Sequence, residues 1–244
     1  MTREQIETIL AHKALPGSPR QVKLIETHIS WVLLTPRFAY KIKKPINYSF
    51  LDFSTMERRK YYCQRELELN RRLTEDIYLQ LLEVHCQNDR CRIDGPGELV
   101  DHTLQMKRLD NDRQMDRMLV REEVGEKHMR QLARQLADFH RGAEVIEPGI
   151  DPEELHRKFA DLSAQRDFIA DQLGDEAAAL VDSAVAYSDS FLRARSDRIF
   201  ERNREGMVID GHGDLHSKNI FLLDQPVIFD CIEFNDDFRH LDLL

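Results

Sequence analysis

The sequence predicts a two-lobed α+β protein, in which an antiparallel N-terminal sheet and one helix precede a mainly helical C-terminal lobe that carries a short hairpin. Apolar and polar residues alternate, as in strands, from Val22 to Lys43. From Asp110 onward the apolar residues recur at helical spacing, and short apolar runs return near the C-terminus. We place the boundary after residue 108, which gives lobes at 1–108 and 109–244.

The composition excludes several classes of protein. The chain has 244 residues, of which 41% are apolar and 32% charged, a balance typical of soluble globular proteins. Its formal net charge of −9 argues against a nucleic-acid partner or an anionic membrane surface. The polar N-terminal segment does not resemble a secretory signal, and no apolar run is long enough to span a membrane. We therefore expect a cytoplasmic protein with no nucleic-acid or membrane partner.

The four cysteines show no spacing typical of a zinc site. Cys86 and Cys91 fall in one predicted hairpin, so a disulfide between them is conceivable. Because the sequence lacks a secretory signal, we favour reduced thiols that only contribute to packing.

The N-terminal lobe is predicted to begin with a short helix at residues 3–12. Period-two alternation then predicts three antiparallel strands joined by tight turns at residues 22–26, 30–34 and 38–43. A hairpin at residues 79–86 and 91–94 and a last strand at 99–109 are predicted further along the chain. The first of the tight turns occupies the place of a loop that covers nucleotide phosphates, although it contains no glycine. Any cover would use its backbone N–H groups and the hydroxyls of Thr27 and Ser30.

The third strand carries two candidate lysines. Lys41 follows Phe38-Ala39-Tyr40 as the nucleotide-binding lysine of kinases follows the sequence Val-Ala-Ile. Lys43 lies on the same face, so alternation alone does not choose between them. We favour Lys41, with two ordinary solvated lysines as the alternative.

The next helix begins at a capping-box pattern, Ser54-Thr55-Met56-Glu57, and is predicted to end near Leu73. Glu66 falls on its core-facing stripe with Cys63, Leu67, Asn70 and Leu73. A buried carboxylate requires a cation, and Lys41 is available, although a neighbouring arginine could also serve.

The last N-terminal strand leaves the sheet near Met106, Lys107 and Arg108. Their backbone groups could pair with an adenine edge, or they could form an ordinary connection. Helices are predicted at residues 125–142, from Asp151 through Ile169, and at 175–200. The last two either supply a wall of an acceptor pocket or only pack.

The C-terminal polar loop carries three groups suited to phosphoryl transfer. Asp214 and Asn219 are five residues apart, the Asp-to-Asn spacing of a kinase catalytic loop, and Asp230 follows one short strand later. A carboxylate can accept the proton of an attacking hydroxyl, while an amide oxygen and a second carboxylate are suitable Mg²⁺ ligands. The alternatives are a simple turn rich in polar residues, or a zinc site on His212 and His216.

Several motifs together resemble the aminoglycoside phosphotransferase and choline kinase branch of the protein-kinase-like fold. They are His212-Gly213-Asp214-Leu215-His216 with Asn219, Ile228-Phe229-Asp230-Cys231-Ile232-Glu233, the stretch at Asp242, and Leu136-Ala137-Asp138-Phe139-His140. The segments Thr27–Val32, Tyr40–Pro45 and Phe50–Ser54 are similar to bacterial kinase-like domains often fused to a P-loop ATPase domain.

The resemblance implies ATP and Mg²⁺ as cofactors and a small-molecule hydroxyl acceptor. It implies a catalytic set of Asp214 as base with His212 and Lys41, and Mg²⁺ ligands at Asn219 and Asp230. Glu233 would be an outer metal ligand or a substrate contact, and Lys41, Lys43 and Glu66 would serve the nucleotide. A P-loop ATPase domain, or a protein acting in trans, is a possible partner.

Two functional hypotheses follow. The first is an ATP-dependent phosphotransferase, and the second is a catalytically idle ATP-binding module that regulates a partner protein. Relatives in this branch continue into further helices, and Leu241, Leu243 and Leu244 are predicted to begin an amphipathic helix. On that basis we expect the chain to be part of a longer product.

Overall fold

The predicted α+β fold class is confirmed, with an antiparallel sheet in the N-terminal part and a mainly helical C-terminal part. The computed structural model describes residues 1–74 and 76–243. The N-terminal strands are β1 (Lys23–Glu26), β2 (Ser30–Leu34), β3 (Phe38–Lys43), β4 (Asn47–Tyr48), β5 (Leu51–Asp52), β6 (Tyr78–Gln87), β7 (Arg90–Ile93) and β8 (Glu98–Lys107). Six of them form one antiparallel sheet in the order β1-β2-β3-β8-β6-β7, and β4 pairs with β5 in a separate short hairpin.

Alternation along β3 gives the sheet one apolar and one charged face. Tyr40 and Ile42 are fully buried in a core that also contains Ile6 and Ile9 of the first helix, α1 (Arg3–His12). Lys41 and Lys43, which alternate with them along the strand, therefore point to the opposite face. The strand predictions for this lobe are confirmed within one or two residues.

The second helix, α2 (Met56–Arg71), covers that charged face. The hydroxyl of Thr55 caps its first turn by accepting a hydrogen bond from the Arg58 N–H at 3.2 Å. Cys63, Glu66 and Asn70 are buried along the helix, as its helical spacing predicted. The sequence therefore directs an acidic side chain into the interior beside two lysines.

The hairpin of β6 and β7 corrects the prediction for the cysteines. Asn88 and Asp89 both have positive φ, of 50° and 58°, which is the backbone of a tight two-residue hairpin turn. That turn sets the register in which Cys86 lies directly opposite Cys91, and the two form a disulfide with a Cα–Cα distance of 4.0 Å. The preference for reduced thiols was wrong for this pair, whereas Cys63 and Cys231 are buried and belong to no disulfide.

The C-terminal strands are β9 (Val208–Asp210), β10 (Ile220–Leu222), β11 (Pro226–Ile228) and β12 (His240–Asp242). β10 and β11 form the predicted hairpin, which packs with α3 (Met115–Val120) and α4 (Glu126–Gly142). Buried apolar residues join these elements, among them Met118, Leu132, Leu222 and Ile228.

Contacts divide the chain into two units. Residues 1–141 and 212–238 form the first, and residues 142–211 with those from Arg239 onward form the second. The lobe boundary predicted after residue 108 lies within the first unit and stays a prediction.

The second unit contains α5 (Pro152–Ala160), α6 (Arg166–Leu173) and α7 (Asp175–Arg204). The N-cap at Asp151 is confirmed, since its side chain accepts from the Glu153 N–H at 2.9 Å. The single helix predicted through Ile169 was wrong, because a 3-10 segment at Asp161–Gln165 interrupts it. Asp and Ser side chains in this segment compete with the helix for backbone groups, which favours a tighter turn.

The chain end also differs from its prediction. Residues 240–242 form β12, which pairs antiparallel with β9, so the expected amphipathic helix does not begin at Leu241. Pairing with an existing strand satisfies backbone groups that a single helical turn would leave open. Leu244, the last residue of that expectation, lies outside the described residues. No helix in the described part of the chain has the length and apolarity needed to cross a membrane.

Candidate active site

The two lysines of β3 are joined to one buried carboxylate. Lys41 Nζ donates to Glu66 Oε1 at 2.8 Å, and Lys43 Nζ donates to Glu66 Oε2 at 2.7 Å. The predicted pairing of Glu66 with Lys41 is therefore present. Lys43 is a second partner that sequence reasoning did not assign to Glu66.

The other contacts of these lysines reach the segment after β11. Lys41 Nζ donates to Asp230 Oδ1 at 2.7 Å, while Lys43 Nζ donates to Glu233 Oε1. Asp230, Lys41, Glu66, Lys43 and Glu233 thus form one line of alternating charge. We call these five residues the ion-pair line. All five belong to the first unit.

The environment keeps Lys41, Glu66 and Asp230 charged, whereas burial raises the pKa of Glu233. Burial works to lower the pKa of Lys41, but the carboxylates of Asp230 and Glu66 outweigh burial and hold that pKa well above its usual range. Burial likewise tends to raise the pKa values of Glu66 and Asp230, yet the neighbouring lysines bring both below their ordinary values. A fixed ammonium and an ionised Asp230 are the states that phosphate and cation binding require.

The loop that carries Asp214 and Asn219 is held together by its own hydrogen bonds. Asn219 Nδ2 donates to the main-chain oxygen of Asp214 at 2.9 Å and to its Oδ2 at 3.2 Å. Gly213, with φ of 86°, supplies the left-handed backbone of the turn that leads into Asp214. The Asp214 carboxylate is 52% exposed, so it is anchored at one oxygen while remaining open to an incoming molecule.

His212 connects this loop to the segment that carries Asp230. Its Nδ1 accepts from the Asp214 N–H at 3.2 Å, so Nε2 carries the proton and donates to the Phe229 carbonyl at 3.0 Å. Burial lowers the pKa of His212, which favours this neutral form. With both ring nitrogens bonded to backbone, the geometry favours a positioning role. Its predicted place in the catalytic set stays a prediction.

The backbone places Asp230 one residue after the hydrogen-bonding partner of Asn219. The Phe229 N–H donates to the Asn219 carbonyl at 3.1 Å, and Asp230 is the next residue. Asp230 has φ of 63°, in the left-handed region, and the Tyr78 hydroxyl accepts its N–H at 3.0 Å. Non-glycine residues adopt this conformation at some energetic cost, and they often do so at functional sites.

The residues fit a magnesium ion that is shared with a nucleotide. The amide hydrogens of Asn219 are directed at Asp214, so its amide oxygen is turned away from that carboxylate. Asp230 adds a carboxylate that is 43% exposed. One or two protein oxygens, completed by phosphates and water, are typical of Mg²⁺ in such sites. Glu233 instead contacts Lys43 and is buried, and its predicted role at the metal stays a prediction.

The zinc alternative finds no support in this geometry. His216 Nδ1 accepts from the Lys218 N–H at 3.1 Å, and His212 uses both of its nitrogens for backbone contacts. Across residues 1–74 and 76–243, no group of three or more His, Cys, Asp or Glu side chains is arranged to hold a metal ion.

In the predicted phosphate-covering turn, hydrogen bonds within the turn occupy the Thr27 hydroxyl that was expected to be available to a nucleotide. The Thr27 hydroxyl accepts from the Ser30 N–H at 2.9 Å and donates to the Ser30 carbonyl at 3.2 Å, so the turn itself uses this group. Ser30 is buried directly across the sheet from Lys43. The Ser30 hydroxyl has no hydrogen-bond partner in the described part of the chain. Nucleotide contacts by Thr27 and Ser30 stay predictions.

The predicted adenine edge already uses two of its backbone donors. The Lys107 N–H donates to the Ile77 carbonyl, and the Arg108 N–H donates to the Arg37 carbonyl, each at 2.9 Å. Met106 lies within the sheet opposite Ala39. A cavity of about 430 Å³ opens just beyond, lined by Arg108 and the four residues after it together with Pro36. A role for residues 106–108 in adenine binding stays a prediction.

Two contributors were missed by sequence reasoning. Asn70 donates from Nδ2 to the Glu66 carbonyl at 2.8 Å and accepts the Cys231 N–H at Oδ1 at 3.0 Å, which ties α2 to the segment after Asp230. Its signal was a polar residue on the core stripe, one helical turn after Glu66. Tyr78, which holds Asp230, gave no comparable signal because it resembles any buried strand residue.

The chain is similar in sequence to curated proteins whose activity is not stated. No protein-family model matches the sequence. Curated proteins of Mycobacterium tuberculosis and Mycobacterium bovis, each described as uncharacterized, are 31% identical to this chain over 225 residues. The match covers 89% of this chain but only 42% of each relative, so the chain spans about two fifths of their length.

Two solved structures are similar at lower identity. One is spectinomycin phosphotransferase in complex with ADP and spectinomycin, with a TM-score of 0.45 and 11% identity over 96% of this chain and 69% of that chain. The other is choline kinase from Cryptosporidium parvum Iowa II, with a TM-score of 0.47 and 14% identity over 92% of this chain and 63% of that chain. Both have a protein-kinase-like fold. At these TM-scores neither carries an argument about the activity of this chain.

Proposed function

We propose that the chain is an ATP-dependent phosphotransferase that moves the γ-phosphate to a hydroxyl group of a small molecule. The observation that supports this most is the junction of the catalytic loop with the ion-pair line. Asp214 and Asn219 are hydrogen-bonded, Asn219 lies beside Asp230, and Asp230 contacts Lys41. Phosphoryl transfer requires a proton acceptor, oxygen ligands for a cation and an ammonium group for the phosphates, and these contacts support the proposal that Asp214, Asn219 with Asp230, and Lys41 fill those roles.

Each side chain then has a distinct task. Bound MgATP would supply the transferable phosphoryl group and neutralise its charge. Asp214 accepts the proton of the attacking hydroxyl, and Asn219 and His212 hold Asp214 in position. Asn219 and Asp230 would hold the cation through their oxygens. Lys41 would bind the phosphates while Glu66 holds its side chain extended.

The test separates nucleotide binding from chemistry. We expect Asp214→Ala to retain MgATP binding while losing turnover on any accepted alcohol, because this carboxylate serves the acceptor and not the nucleotide. Wild type and variant are compared for phosphorylated product across a panel of hydroxyl compounds. Asp224→Ala is the matched control, since Asp224 is exposed in the turn between β10 and β11. Equal turnover by wild type and Asp214→Ala would refute the assignment.

The second candidate is a catalytically idle ATP-binding module that regulates a partner protein. It is favoured by the glycine-free turn at Thr27–Ser30, in which the Thr27 hydroxyl is already bonded. This candidate predicts saturable MgATP binding with no phosphorylated product from any member of the panel. Phosphorylated product that disappears in Asp214→Ala would exclude it.

The remaining parts of the proposal concern the setting of the reaction. We expect a cytoplasmic enzyme, without nucleic-acid or membrane partners, whose acceptor is drawn from small alcohols of the kind used by aminoglycoside phosphotransferase-like enzymes. A P-loop ATPase domain, in the same product or acting in trans, is the proposed protein partner. Co-purification of this chain with such a domain would test that part separately.

A further inference from the structure

The two lysines of β3 differ in how deeply they are held. Lys43 is 1% exposed, and its ammonium group contacts Glu66 and Glu233 and lies 4.8 Å from the centre of the Phe53 ring. Moving this group toward a ligand would leave the buried Glu233 without its cation and would remove one of the two ammonium partners of Glu66, which is strongly unfavourable. Lys43 is therefore fixed in the interior.

Lys41 occupies the open end of the same line. Its side chain is 13% exposed, and its second partner, Asp230, is 43% exposed. Asp230 is the most exposed carboxylate of the line, whereas Glu66 and Glu233 are buried. A cation that binds at this end would compete with Lys41 for Asp230 and release Lys41 toward bound phosphates.

Glu66 can tolerate such a shift because it uses a different oxygen for each lysine. Lys41 contacts Oε1 and Lys43 contacts Oε2, so a displaced Lys41 leaves Glu66 still paired. Lys43 also holds Glu233, which ends the four-residue segment that Asp230 begins. One buried ammonium group therefore fixes both the acid that supports Lys41 and the segment that carries Asp230.

We propose that Lys43 is a positioning residue that keeps Glu66 and the segment 230–233 in place while Lys41 serves the nucleotide, and that Lys43 itself does not contact the nucleotide. The part of this inference that concerns the nucleotide rests on the proposed function. The part that concerns the buried contacts stands without it.

The first test measures coupling in the protein without nucleotide. Lys43→Met should lower the melting temperature by on the order of 10 °C, because it leaves Glu233 buried without its cation. The double variant Lys43→Met with Glu233→Gln should melt at a higher temperature than Lys43→Met alone, since the stranded charge is gone. Lys23→Met is the matched control, because Lys23 is an exposed lysine of the same sheet, and it should melt like wild type. Glu233→Gln alone is also melted, and a double variant whose loss is the sum of the two single losses would overturn the proposal.

The second test uses a quantity that a merely structural role would not change. The affinity for MgATP is measured by calorimetry in wild type, in Lys23→Met and in the double variant, at a temperature where all are folded. We expect the double variant to bind roughly tenfold more weakly, as is typical when a group that orients a binding residue is lost. Wild-type affinity in the double variant would overturn the positioning role.

Failure of the proposed function is distinguishable from failure of this inference. The function is judged on the unaltered chain, by whether it binds MgATP and transfers phosphate. Lys43 is judged on differences between variants. If wild type does not bind MgATP, the proposed function fails and the melting temperatures alone decide on Lys43, with non-additive losses supporting its positioning role and additive losses overturning it.

Discussion

Removal of the central carboxylate is the perturbation whose size the structure defines best. Glu66 is fully buried and receives two charged hydrogen bonds, at 2.8 Å from Lys41 and 2.7 Å from Lys43. Glu66→Gln keeps the shape but removes the charge, and a hydrogen bond to a charged group contributes roughly 1.5–3 kcal/mol. Each lysine retains one other carboxylate, Asp230 or Glu233. We therefore expect a loss of about 3 kcal/mol rather than the sum of two broken pairs.

The assay is equilibrium unfolding in urea, with thermal melting as a second readout. A loss of that size lowers the melting temperature of a chain of this length by roughly 6–12 °C. Glu68→Gln is the control, because Glu68 lies on the same helix with a side chain that is 67% exposed and only a long contact of 3.8 Å to Arg65. The control should unfold like wild type. Equal unfolding of Glu66→Gln and Glu68→Gln would show that the buried contacts do not stabilise the fold.

Three further predictions concern titration, thiols and the catalytic loop. Burial lowers the pKa of His102, so the unfolded chain binds a proton at this residue more readily than the folded protein. Stability should therefore fall as the pH drops below about 6.5, and it should fall less in His102→Leu. Parallel pH–stability curves for the two proteins would contradict this. Thiol titration should detect none of the four cysteines in the native protein, two after denaturation, and all four only after reduction of the bond between Cys86 and Cys91. Four reactive thiols without reduction would show that the disulfide is absent. His212→Ala should lower kcat with little change in the KM for MgATP, because its ring positions Asp214, whereas an unchanged kcat would exclude a positioning role.

Local patterns were sufficient to identify most of the ion-pair line. Alternation along β3 placed Lys41 and Lys43 on one face, and helical spacing along α2 placed Glu66 toward that face. The spacing of Asp214, Asn219 and Asp230 was also a local signal. The placements along β3 and α2 were right because each depends on the geometry of a single element, whereas the roles of Asp214, Asn219 and Asp230 stay predictions.

The remaining contacts depend on how distant elements meet. Lys43 and Glu233 are 190 residues apart in sequence, and Asp230 and Tyr78 are 152 apart. No periodicity encodes which of several buried acids a lysine will reach. The disulfide was missed for a related reason. The hairpin was predicted, but whether Cys86 lies opposite Cys91 depends on the strand register, which the left-handed turn residues set.

The most direct test of the account is calorimetric titration of MgATP into wild type, Asp230→Ala and the control Asp224→Ala, each with and without excess chelator. The account predicts saturable binding in wild type and in the control, loss of that binding in Asp230→Ala, and its loss from every protein when Mg²⁺ is removed. Binding of equal affinity in all three proteins, or binding that persists without Mg²⁺, would contradict a cation held between Asn219 and Asp230.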